Sequence, residues 1–136
     1  MTLILAVLLA FADLGPAKAE PDLEKRAQLA LANADQAIGD ARTAYKAGEA
    51  NKVSEALAEV RESVDLAYTS LQETNKTARK TRSFKLAEQR THHLARRLAS
   101  LSDEVSIDDR KAVEDVRGHV QEVHDQLLAQ IMGRKK

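Results

Sequence analysis

At 136 residues, 43% hydrophobic and 31% charged, the chain has the balance of one globular domain and not that of a disordered segment. Its formal net charge of zero removes whole-molecule attraction to polyanions, so no specific nucleic-acid partner is expected. It has no cysteine, which excludes disulfides, thiol nucleophiles, Cys-ligated zinc, covalently attached haem and a lipid-modified cysteine anchor.

The N-terminal run from Leu3 to Ala12 is wholly apolar. It is shorter than the ~20 residues that a helix needs to cross a bilayer. Asp13 ends the run, Gly15 and Pro16 are helix breakers, and Ala17-Lys18-Ala19 puts small residues at the two positions a signal peptidase reads. The expectation is a signal peptide over residues 1–19, cleaved between Ala19 and Glu20, and a single domain over 20–136. That domain would be exported, periplasmic or secreted, with no transmembrane helix. Met1-Thr2 offers no basic residue before the run. The alternatives are a start further upstream or an ordinary buried first helix.

From Pro21 onward the apolar spacing alternates between four and three residues, the period of an amphipathic helix. Helices are predicted over 21–47, 51–74, 84–102 and 107–132. The first seam runs through Ala27, Leu31, Ala34, Ile38, Ala41, Tyr45 and Gly48, widened by Ala30, Ala37 and Ala44; Pro21 suits its first turn. The second seam is Val53, Leu57, Val60, Val64, Ala67 and Leu71. The third is Ala87, Thr91, Leu94, Leu98 and Leu101; the fourth is Val113, Val116, Val120, Val123 and Leu127. Ser106 followed by Asp109 resembles a capping box at the start of the last helix, and Gly118 weakens its interior. Short connections at 48–51 and 102–105 predict antiparallel neighbours, whereas 74–83 reads as a longer loop. The simplest arrangement is an all-α, antiparallel up-down-up-down four-helix bundle with coiled-coil-like seams. A pair of helical hairpins, or a dimer built from them, is the runner-up.

Charge is sorted along the chain. Between Asn75 and Ser102 every charged residue except Glu88 is basic, and the tail adds Arg134, Lys135 and Lys136. In such a bundle the middle connection and the C-terminus share an end. Lys76, Arg79, Lys80, Arg82 and Lys85 would therefore gather with Arg134, Lys135 and Lys136, opposite Glu49, Asp103, Glu104, Asp108 and Asp109. A basic end of this kind suits an anionic partner: lipid headgroups, an envelope polymer or an acidic protein surface. Cations in solvated loops and near helix C-termini supply the plainer explanation. Glu55, Glu59 and Glu62 fall on the side of the second helix away from its seam.

Catalytic and metal chemistry have little footing. No nucleophile elbow, phosphate loop, Glu-x-x-His or His-Glu-x-x-His motif occurs, so no enzyme activity and no cofactor are expected. His92 and His93 are adjacent and diverge on a helix, and no histidine falls on a seam. Asp115, His119 and Glu122 share one helical strip, the best arrangement for a weakly held metal, and carry the alternative reading of a metal- or small-ligand-binding bundle. Leu127, Leu128, Ile131 and Met132 exceed what one seam needs. They would cap the core end with Leu23, Leu71 and Phe84, or else form a self-association patch. The function expected is that of a non-enzymatic binding, scaffold or chaperone-like protein of the cell envelope.

Overall fold

The structure, a computed structural model, describes residues 11–133. Among these there is no strand. The elements are a short helix α1 (Gly15–Ala19) and four long helices, α2 (Leu23–Lys46), α3 (Ala50–Glu73), α4 (Arg82–Glu104) and α5 (Ile107–Ile131). A 3₁₀ turn, Ala78–Lys80, lies between α3 and α4. No described helix is long and apolar enough to cross a membrane.

Local chemistry explains the boundaries. Gly15 and Pro16 open a helix, where their residue types alone suggest a break. Proline lacks an N–H that the first turn does not use, and the Gly15 amide is taken by Asp13 Oδ1 at 3.0 Å. Pro21 in turn stays outside α2, which starts after Asp22, whose carboxylate accepts from the Lys25 amide at 3.1 Å. α2 ends at Lys46, and Gly48 beyond it adopts φ +72° and lets the Glu49 amide return to the Ala44 carbonyl at 2.9 Å. Asn75 takes the same left-handed region after α3, a conformation that asparagine tolerates better than most residues.

The middle connection is tighter than a free loop. Ala78 is buried, the Thr81 hydroxyl donates to the Thr77 carbonyl at 2.7 Å, and α4 begins at Arg82, ahead of the expected start. The capping box expected at Ser106 does not form. The Ser106 hydroxyl donates to Asp109 Oδ2 at 2.8 Å, the Asp109 amide donates to the Ser106 carbonyl at 3.0 Å and the Ser106 amide to the Tyr45 hydroxyl at 2.9 Å, so neither bond of the box is made. The tyrosine already occupies the amide that a reciprocal box would need.

One hydrophobic core unites the four long helices. α2 contributes Ala27, Ala30, Ala34, Ala37, Ala41 and Ala44 beside Leu31 and Ile38. α3 answers with Leu57, Val60, Val64 and Leu71, α4 with Phe84, Leu94, Leu98 and Leu101, and α5 with Val113, Val116, Val120, Val123 and Leu127. α2 packs most extensively on α3, and α4 on α5. Smaller interfaces join α3 to α5 and α2 to α4, while α3 and α4 barely touch. Side chains mark the alignment. Asn33 reaches Glu59 and Ser63, Arg97 reaches Asp35, Arg42 reaches Glu104, and Gln72 exchanges two amide hydrogen bonds with Gln130. At the end of the core Leu71 and Phe84 are buried and Ile131 packs partly against the core, whereas Met132 is 55% exposed.

α1 belongs to the same core. Leu14 and Ala17 are 4% and 2% exposed, packed against the α2 side.

Gly118 lies in the middle of α5, with nothing within 4 Å of where a Cβ would stand. Gly118→Ala should therefore stabilise the protein by about 1 kcal/mol, the helix-interior difference between the two residues. In urea unfolding the midpoint should rise with the slope unchanged; an unchanged or lowered midpoint would contradict this account of α5.

Candidate functional site

The basic residues gather as the helices place them. Lys76 follows α3, Arg79 and Lys80 lie in the 3₁₀ turn, and Arg82 and Lys85 occupy the first turn of α4; all five are exposed. Two contacts bring the N-terminus of α2 and the C-terminus of α5 to this end. Lys76 Nζ is hydrogen-bonded to Glu24 near the start of α2. The Arg79 guanidinium lies beside Gly133, 3.8 Å from the position a Cβ would take there. Arg134, Lys135 and Lys136 lie outside the described residues.

These cations are not equivalent. The hydrogen bond from Lys76 to Glu24, reinforced by their mutual attraction, raises the lysine pKa and commits that charge within the fold. Arg97, farther along α4, is spent in the same way: its guanidinium donates to Asp35 Oδ1 at 2.6 Å and to the Asp35 carbonyl at 2.7 Å. Arg79, Lys80, Arg82 and Lys85 form no ion pair among the described residues. They are therefore the part of the basic end that stays open to an outside anion.

At the opposite end Glu49, Asp103, Glu104, Asp108 and Asp109 are exposed. Glu104 accepts from Arg42 Nε at 2.7 Å, and Glu49 pairs with Lys52 at 3.0 Å. Of the α3 acids, Glu55 and Glu62 face solvent as expected, but Glu59 is half-buried and accepts from Asn33 Nδ2 at 2.8 Å.

The strip of Asp115, His119 and Glu122 is not assembled around a common point. Asp115 pairs with Lys111 at 3.0 Å, and His119 Nε2 lies 2.5 Å from Asp65 Oδ1 on α3. Glu122 is exposed. Among the described residues no group of three His, Cys, Asp or Glu side chains is placed to hold a metal ion.

One titratable group escapes a reading of seams alone. His124 is buried, 6% exposed, although it stands off the valine row of α5. The buried face of α5 is wider than that row, and His124 falls beside Val123, four residues after Val120 and three before Leu127. Its Nε2 lies 3.1 Å from Glu88 Oε1 on α4, its Nδ1 lies 3.1 Å from Asp125 Oδ1, and its ring stands 5.6 Å from that of His92. The one signal for it in the sequence is Glu88, the only acid in a basic stretch.

The hydrogen bond from His124, aided by Gln121, holds the Asp125 carboxyl below the usual aspartate range. On α5, Glu114 is lowered chiefly by its hydrogen bond to Arg117, with the Ser102 hydroxyl adding to the effect. A depressed carboxyl pKa stabilises the fold above the ordinary aspartate value and loses that contribution as pH falls through the folded value. His124→Gln should therefore move the Asp125 pKa upward, toward the ordinary aspartate range. It should also leave the protein with a smaller loss of stability on acidification below about pH 4. Carboxyl-carbon NMR titration reads the shift directly, and an unmoved Asp125 would show that the histidine is not its cause.

Comparison with known protein families, curated proteins and solved structures found no match to this chain.

Proposed function

We propose that the chain is an exported, non-enzymatic helical binding module whose basic end docks an anionic partner. The carrying observation is the group of Arg79, Lys80, Arg82 and Lys85, exposed together at one end and left without carboxylate partners among the described residues, while Lys76 and Arg97 pair with Glu24 and Asp35. In this reading the four long helices form an antiparallel up-down-up-down bundle. Support comes from the tight Gly48 turn, the short connection through Val105 and Ser106, and the pairing of Asp35 with Arg97 and of Gln72 with Gln130. A neutral protein with one basic end presents that end to an anionic surface, and each cation contributes roughly 1 kcal/mol close to such a surface. The attraction is screened over about 10 Å at 0.1 M salt, so binding of this kind weakens as salt rises.

Export rests on the apolar run over 3–12 and the Ala17-Lys18-Ala19 site. Its test is the intact mass of the chain recovered from the cells that make it. A chain beginning at Glu20 is expected; one that retains residues 1–19 would overturn the export reading.

For the basic end, Arg79→Gln, Lys80→Gln, Arg82→Gln and Lys85→Gln combined should shift elution from a heparin column to clearly lower salt and reduce retention on phosphatidylserine vesicles severalfold. Circular dichroism should remain that of the native helical protein, since all four side chains are exposed and form no ion pair among the described residues. Unchanged retention on both supports would remove the anionic-partner reading.

A further inference from the structure

The segment before α2 is seated on the rest of the molecule by contacts of a kind that proteins use to recognise peptides. The Ala12 amide donates to Asp40 Oδ2 and the Asp13 amide to Asn33 Oδ1, both at 2.8 Å. Asn33 and Asp40 lie on one strip of α2 with Ala37 between them, and Ala37 is fully buried. Leu14 and, one helical turn later, Ala17 enter the core beside this strip. At the far end of the segment Arg26 Nε donates to the Glu20 carbonyl at 2.8 Å.

Both acceptors are held by residues outside the segment. Both donors of the Asn33 amide are used on α3, to Glu59 Oε1 at 2.8 Å and to Ser63 Oγ at 3.0 Å, which turns Oδ1 toward the segment. Asp40 is steadied by Gln36 Nε2 at 3.2 Å. Pre-positioned acceptors reduce the ordering cost of binding. Backbone amides are common to every polypeptide, so these two acceptors supply affinity with little regard to sequence. The seats of Leu14 and Ala17 supply the selection.

We propose that this face of α2, with its edge on α3, is a peptide-binding groove. Residues 12–19 occupy it in cis. When they are displaced, it takes a segment of another polypeptide with the same chemistry: two free backbone amides followed by a leucine and, three residues on, a side chain no larger than alanine. Cleavage before Glu20, which the export reading expects, would be one such displacement. The proposal deepens the reading of the chain as a binding module and rests on it, but does not depend on the basic end. A groove opened by departure of the segment would be an apolar surface edged by Asn33 and Asp40, the composition of an interaction site.

The test uses the full 136-residue chain and a fluorescein-labelled peptide copying residues 11–20, Phe-Ala-Asp-Leu-Gly-Pro-Ala-Lys-Ala-Glu, followed by fluorescence anisotropy. In the wild type the tethered segment competes at an effective concentration in the millimolar range, so micromolar peptide should bind weakly. Leu14→Asp removes the buried anchor of the tethered copy, and the peptide should then bind at least about tenfold more tightly. Adding Asn33→Ala and Asp40→Ala should abolish that gain, and a peptide carrying Leu14→Asp should bind none of the proteins. Ala17→Asp serves as the second opening variant if Leu14→Asp does not give native circular dichroism. Equal binding by wild type and opened variants, or no binding by a folded opened variant, would overturn the groove. Peptide binding together with unchanged heparin retention in the Gln variant would sustain the groove and remove the basic-end reading, so the two failures are distinguishable.

Discussion

The alanine-rich face of α2 is the constraint from which most of the structure follows. Six of its eight buried residues are alanine, so a neighbouring backbone can approach closely and set its larger side chains into the gaps. α3 uses the space with Leu57, Val60, Val64 and Leu71, and keeps Ala56, Ser63 and Ala67 where the two surfaces would otherwise collide. The same close approach lets a side chain as short as Asn33 reach across to α3. A core of small residues buries little area per side chain, so its cohesion depends on close fit along the whole seam more than on any one large anchor. Phe84 carries the only buried phenyl ring among the described residues.

Polar ties reinforce the apolar contacts between the helices. α2 and α4 share a modest interface, and there Arg97 clasps Asp35 while Arg42 meets Glu104. His124 and Glu88 join α5 to α4, and His119 with Asp65 joins α5 to α3. The basic stretch of the sequence is thereby divided into two populations. Lys76 and Arg97 serve the fold, and Arg79, Lys80, Arg82 and Lys85 remain on its surface. Linear charge counting treats these residues alike; only the position of the acids on neighbouring helices separates them.

The helices are legible in the sequence because each carries its own periodic row, and four rows of valine, leucine and alanine leave little ambiguity about type or extent. The ends are less so. Arg82 starts α4 early because buried Ala78 and the Thr81–Thr77 bond wind the connection into a turn, and nothing in a run of Thr, Lys and Arg announces that. Ser106 misleads for a similar reason: the group that claims its amide, Tyr45, comes from far away in the chain. Gly15-Pro16 reads as a stop in the sequence, yet it opens α1, whose Ala17 is buried together with the preceding Leu14. Of the candidate site, the grouping of the basic residues can be read from their order along the chain. The burial of His124 and the acceptor pair Asn33 and Asp40 cannot, since each is defined by a partner on another element.

The exchange between Gln72 and Gln130 joins two helices that no short loop connects. Each amide donates to the other, at 2.9 and 2.8 Å, near the last turns of α3 and α5. A dry valine-and-leucine interface resists separation but discriminates poorly between one axial setting and the next, because sliding replaces one set of apolar neighbours with another. Two opposed amides behave differently, since displacement along the axis breaks both bonds together and leaves four polar groups unmatched. The pair therefore works as a detent, fixing the axial setting of the α2–α3 half against the α4–α5 half.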